Sequence, residues 1–184
     1  MSSIRRDHPL SLLFTELVDR HLVRSAGIAD ADVARYIAGV LTEFTHVDRL
    51  YRIRSAQGRR LEDVADMLIE SNPLLDGRSF VYEREVRRHI GDYTMFFTGL
   101  FPEFVQRLPS RGLRRDAFID YLQAGKESYR VVASFDQFEF RSVAPLFRRM
   151  AEQFELCVYG LNLVKTEVER NQQGWYSAVR AHLT

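Results

Sequence analysis

Lysine is nearly missing from this chain: of its 26 basic residues only Lys126 and Lys165 are lysines, and the rest are arginines. Codon bias accounts for that more simply than a role in phosphate or carboxylate recognition, the chemistry that arginine's planar fork suits. Cysteine is scarcer still. The single Cys157 cannot close an internal disulfide, which fits a reducing compartment. Net charge is also lacking, because 26 basic residues against 25 acidic ones leave a formal +1 that favours no electrostatic partner. The uncharged run from Thr94 to Phe101 falls far short of the roughly 20 residues needed to span a bilayer. Arg5 and Arg6 precede the apolar Pro9 to Phe14, but Glu16 and Asp19 interrupt that run and no small-residue cleavage site follows, so it does not read as an export signal. The expectation is a cytoplasmic, soluble protein. A G-x-S-x-G elbow, a P-loop and a dinucleotide fingerprint are all absent, and neither internal repeats nor low-complexity segments occur.

What remains is an ordinary globular composition with strong helical periodicity. A length of 184 residues with 46% hydrophobic content is enough for one core, since a chain of this size buries roughly 70% of its unfolded surface. The reading is a single domain, 1–184, built as an all-α bundle of about six main helices. Asp7 and Pro9 open the first helix, whose stripe is Leu10, Leu13, Phe14, Leu17 and His21, and Ser25-Ala26-Gly27 ends it. Asp30 caps a second with Val33, Ile37, Val40, Leu41 and Phe44. Residues 48–54 alternate too weakly for a strand and read as irregular, and Leu61, Val64, Met67 and Leu68 form a short third helix ending at Asn72-Pro73.

The fourth helix changes character along its length. Tyr82, Val86, Ile90, Tyr93, Phe97 and Leu100 make an apolar stripe opposite Arg84, Arg87 and Arg88, and past Gly91 the charged face disappears. A helix that starts solvated and ends fully surrounded is the central element of a bundle. Pro102 restarts the chain after Phe101, and a loop at Pro109, Ser110 and Gly112 leads to a fifth helix with Phe118, Tyr121, Leu122, Gly125, Tyr129 and Val132. A sixth carries Val143, Phe147, Met150, Phe154, Cys157, Val158, Leu161 and Val164 at unbroken helical spacing, and Gln172 to Gly174 separates it from a tail helix with Trp175, Val179 and Leu183.

Ile90-Gly91-Asp92-Tyr93, the apolar run to Thr98, Gly99-Leu100-Phe101-Pro102-Glu103, and then Asp120-Tyr121-Leu122 and Gly125 to Tyr129 resemble an uncharacterised bacterial all-helical family. That family has a similar "GD, apolar run, GxFPE" segment followed by a tyrosine-rich helix. A fainter likeness covers Tyr36 to Leu68 and Phe147 to Leu156. The resemblance implies a helical fold shared with bacterial proteins and carries over no activity and no catalytic residue.

Five constellations carry chemistry. Glu85, His89, Asp92, Phe96 and Gly99 follow steps of four and three, lining two carboxylates and an imidazole along one helix. Asp92, beside an apolar segment, must find donors or raise its pKa; anchorage by an arginine or by a neighbouring helix is the simpler reading. Glu43-Phe44-Thr45-His46 has the ExxH spacing of carboxylate-bridged di-iron bundles, but it occurs once where such bundles need two. A mixed metal site of Glu43, His46, Glu85 and His89 is therefore disfavoured, and no cofactor is predicted. Tyr93, Tyr121 and Tyr129, with Tyr82, offer rings with polar tips for a ligand pocket. Phe135, Phe138 and Phe140 crowd a short connection that should fold onto an apolar surface of its own or another subunit, which motivates a homodimer. Arg49, Arg52, Arg54, Arg59 and Arg60 surround Tyr51 as in a nucleic-acid-binding surface, although Asp48, Glu62 and Asp63 flank them and make local ion pairs the simpler account.

The remaining two groups read as structural. His21 lies on an apolar stripe as a core histidine, and Cys157 on a buried stripe behaves as a small hydrophobe. The favoured function is a non-enzymatic protein-interaction or small-ligand-binding module, with Glu85, His89, Asp92, Tyr93, Tyr121 and Tyr129 as ligand candidates. An enzyme or metal-binding protein around Glu85, His89 and Asp92 is the first alternative, and a nucleic-acid-binding protein the second.

Overall fold

The computed structural model describes residues 8–74, 79–108, 117–171 and 173–183. The expected roles of Asp7, of the Pro109-Ser110-Gly112 loop and of Gln172 lie outside them. Ten α-helices follow in chain order: α1 Pro9–Val18, α2 Ala31–Phe44, α3 Val47–Leu50, α4 Val64–Glu70, α5 Phe80–Leu100, α6 Pro102–Arg107, α7 Ala117–Ser134, α8 Ala144–Glu152, α9 Phe154–Arg170 and α10 Gly174–Ala181. Among the described residues there is no strand, only an isolated bridge between Arg54 and Arg60, and no helix is long and apolar enough to cross a membrane.

The change of character along α5 decides the architecture. From His89 to Leu100 every residue is buried, because α2, α4, α6, α7 and α9 all pack around this helix. Its start is held by the Ser79 hydroxyl, which accepts from the Tyr82 amide, as a side-chain cap on an orphan donor should. Buried Thr94 and Thr98 bond back to the Ile90 and Thr94 carbonyls at 2.8 and 2.6 Å, so neither hydroxyl needs a partner from outside the helix. The far end is closed from two helices. Asn162 of α9 donates to the Thr98 and Gly99 carbonyls at 3.1 and 2.8 Å, and the Tyr176 hydroxyl of α10 donates to Leu100 at 2.9 Å. Carbonyls that a helix C-terminus leaves without amide partners are thus satisfied inside the core.

Glycines set how closely the helices cross α5. A Cβ added at Gly99 would lie 2.5 Å from Leu161 Cβ, and one at Gly91 would overlap the Tyr129 ring. Gly125 of α7 meets Thr94 and Phe154 in the same way.

Three local readings are corrected. The sixth predicted helix is two helices, because the chain turns at Gln153, with φ −102° and ψ 16°. The turn lets Phe154 reach the core, where its ring lies 5.8 Å from that of Tyr129. Residues 48–54 are not wholly irregular, since α3 makes one helical turn before the Arg54–Arg60 bridge. The arginine face of α5 is not solvated either. Arg84 is buried, its guanidinium 4.1 Å from the Phe140 ring centre and 5.6 Å from that of Phe147, so aromatic faces replace water around a weakly hydrated cation.

The phenylalanine-rich connection therefore splits its work. Phe140 covers Arg84 and meets Phe135 edge-on at 6.5 Å, while Phe138 is 87% exposed with φ 51°, a backbone region uncommon for a residue with a Cβ. His21 has a partner that its sequence neighbours could not reveal. Its Nε2 lies 2.6 Å from Glu167 of α9, within a π-helical turn, Asp19–Ser25, that extends α1. Arg20 reaches the other Glu167 oxygen at 2.5 Å, and these bonds hold the Glu167 carboxyl below its ordinary pKa, His21 contributing most.

Candidate ligand cavity

The line predicted along α5 does not act as one unit, because each of its polar members faces a different neighbour. Glu85 pairs with Arg84 at 3.1 Å and Arg88 at 2.9 Å. His89 is fully buried between Phe44 and Tyr93, with ring centres 5.6 and 5.9 Å away. Among the described residues neither of its ring nitrogens makes a well-formed hydrogen bond, and the Leu50 backbone beside it favours the protonated ring only weakly. Burial, reinforced by the fields of Arg52 and Arg88, pushes its pKa well below the usual imidazole value, so the ring is held neutral.

Asp92 finds its donors in two phenols. Tyr36 of α2 and Tyr129 of α7 both donate to Oδ1, at 2.6 and 2.8 Å. Arg88 and Arg52 act on the carboxylate through their field, not through contact, and burial outweighs both, so the pKa rises. Asp92 thus ties three helices together through neutral donors on neighbouring helices, one of the two anchors read from the sequence, and not through an arginine. Tyr129 is fully buried in that role.

The candidate metal ligands of the disfavoured mixed site are dispersed. Glu43 and His46 are exposed, whereas His89 is buried among rings. Among the described residues no three histidine, cysteine or acidic side chains group so as to hold a metal. Cys157 is buried, and burial raises its thiol pKa to about 12, so it stays protonated at neutral pH.

A different set of residues encloses space. Between α4, α5, α6 and α7 lies a cavity of about 370 Å³, within the range of roughly 300–1,000 Å³ typical of small-molecule sites. Each wall has a local cause. Val64, Ala65 and Leu68 share a face of α4, and Ala117, Asp120, Tyr121 and Ala124 share a face of α7, both at helical spacing. Tyr93 enters from α5, Phe104 from α6, and Tyr51, Glu62 and Asp63 from the segment before α4. Asp63 also caps α4 by accepting from the Ala65 amide at 2.7 Å.

Rings dominate the interior of this cavity. The Tyr93 hydroxyl donates to the Glu62 carbonyl at 2.9 Å, which pins the approach to α4, and Tyr51 meets Tyr93 at 6.1 Å between ring centres. Burial and the nearby acids keep the three phenols protonated: Tyr51 is pushed up to about 12, and Tyr93 and Tyr121 are also raised. Of the six ligand candidates from sequence, the structure brings Tyr93 and Tyr121 to the cavity and leaves Glu85, His89, Asp92 and Tyr129 off it. Tyr51, Phe104 and Asp120 were missed, since nothing local distinguishes a wall residue from any other half-polar helix position.

Tyr51 is only 6% exposed and carries the Arg60 guanidinium 5.7 Å from its ring centre. Arg60 in turn pairs with Asp48 at 3.2 Å, so this ring is not presented for stacking on a base. No protein-family model, curated protein or solved structure matches the chain.

Proposed function

We propose that this protein is a non-enzymatic small-ligand-binding module whose ligand occupies the cavity between α4, α5, α6 and α7. The observation that carries the reading is the enclosure of about 370 Å³ by Tyr51, Tyr93, Phe104 and Tyr121. Apolar rings with polar tips supply both the driving force of burial and the few hydrogen-bonding groups that orient a small molecule. Binding without chemistry is favoured over catalysis because the phenols that line the cavity are held protonated, while His89, Asp92 and Cys157 pack against other side chains and do not line it.

Ligand-observed NMR with a set of aromatic fragments tests the proposal against an Ala124→Trp variant, whose indole fills the space. Fragments should bind the native protein with contacts to tyrosine ring protons and lose that binding in the variant. Absence of any fragment binding, or equal binding to both proteins, overturns the reading.

The module is further proposed to be a cytoplasmic protein of bacterial type, as its resemblance implies, and to assemble as a homodimer. Exposed Phe138 supports a two-fold contact through the connection before α8. Light scattering measures this directly: a monomer that persists at high protein concentration removes the dimer from the proposal.

A further inference from the structure

The charged side chains among the described residues that line the cavity are all acidic. Glu62, Asp63 and Asp120 line it, and among its described lining residues there is no arginine, lysine or histidine. Among the described residues, neither Glu62 nor Asp120 is engaged in an ion pair, and Asp120 is half-buried on the cavity face of α7. The aromatic groups add to this polarity, because the faces of Tyr51, Tyr93, Phe104 and Tyr121 carry the negative end of their quadrupoles. One of these rings already holds a positive charge in the folded protein, the Arg60 guanidinium over Tyr51. Carboxylates beside aromatic side chains attract a cation and repel an anion, and the apolar part of the lining still demands an apolar body.

We infer that the ligand class is an organic cation, an amine or quaternary ammonium on a small aromatic or alkyl body, with the charge met by Asp120 and Glu62 and the body enclosed by the rings. This rests on the cavity being a ligand site, the reading proposed above. The two carboxylates act differently on a bound cation. Asp120, half-buried, provides the charge contact at the wall, whereas exposed Glu62 adds a longer-range attraction that salt screens.

Three probes of matched size separate the inference from its basis: 2-phenylethylammonium, 2-phenylethanol and phenylacetate, titrated by calorimetry into the intact protein. The expected order is ammonium over alcohol over carboxylate, with the ammonium at least about tenfold tighter than the alcohol. Asp120→Asn should bring the ammonium to within a few-fold of the alcohol, with thermal unfolding confirming that the variant is folded. If it is not folded, Glu62→Gln, at an exposed position, serves in its place: the native ammonium preference should shrink at low salt. Equal affinity of ammonium and alcohol, both abolished by Ala124→Trp, overturns the cation inference and leaves the ligand site standing. Tightest binding of phenylacetate overturns it in favour of an anionic ligand. Failure of all three probes to bind overturns the inference together with the cavity reading.

Discussion

Replacing Asp92 with alanine removes the acceptor that Tyr36 and Tyr129 share, and the structure allows the cost to be worked out. Both phenols donate to Oδ1, at 2.6 and 2.8 Å, and Tyr129 is fully buried while Tyr36 is half-buried. A buried hydroxyl left without its partner costs about 1–3 kcal/mol. Tyr129 should stand near the upper part of that range, because its oxygen cannot reach water, and Tyr36 near the lower part. The figure of about 3–5 kcal/mol for breaking a buried ion pair does not apply, since no arginine is in contact with the carboxylate.

An opposing effect comes from the carboxylate itself. Its raised pKa means that the folded protein holds the ionised form at a cost near neutrality, and that cost disappears with the side chain. The net expectation for Asp92→Ala is a loss of about 2–3 kcal/mol at pH 7, or roughly 4–12 °C in Tm for a chain of this size. Asp92→Asn keeps a carbonyl for both phenols and has no charge to bury, so it should recover most of the loss. The pH dependence provides a second check. A raised folded pKa contributes stability that is fully present below about 3.8, the unfolded value, and lost as pH rises through the folded value. Stability of the native protein relative to Asp92→Asn should therefore improve as pH falls from 7 toward 4. Urea melts with a constant m-value measure both quantities. A stability of Asp92→Ala equal to or above that of the native protein refutes the reasoning and returns Asp92 to consideration as a working site.

His89 predicts the opposite slope. Its folded pKa is depressed, so the unfolded chain binds the proton first and stability falls as pH drops below about 6.5; His89→Phe should flatten that acid limb in urea midpoints compared at pH 7 and 5, and an unchanged slope counts against it. Gly99→Leu must displace Leu161 of α9, and overpacking of this kind costs about 1–3 kcal/mol or more; a denaturant midpoint equal to the native one would mean that the crossing is open. Asn162→Ala leaves the Thr98 and Gly99 carbonyls at the end of α5 without their side-chain donor, a loss of about 1–3 kcal/mol; native-like amide exchange across residues 98–102 would exclude Asn162 as the clamp.

Local pattern was sufficient for most of the helices and for the apolar stripe that each of those buries. The stripe along α5, its loss of charge after Gly91, the Asp30 cap and the restart at Pro102 depend on residues within a turn or two of one another, and all appear in the structure as read. Gly99 was legible for the same reason, since a glycine in an apolar helix invites a close crossing. The break at Gln153 was not, because Glu152-Gln153-Phe154 contains neither proline nor glycine and its turn is stabilised by what Phe154 packs against. The polar chemistry depended still more on distance. Asp92 is met by Tyr36 and Tyr129, 56 and 37 residues away in sequence, and His21 by Glu167, 146 residues away. The sequence determined that Asp92 needed donors, because a carboxylate beside an apolar segment cannot go unsatisfied; only the tertiary structure decided that those donors are phenols. The cavity follows the same division. Helical periodicity put Tyr93 and Tyr121 on inward faces, but a cavity is the space left when four helices and a loop stop short of one another, and that depends on all of their positions together.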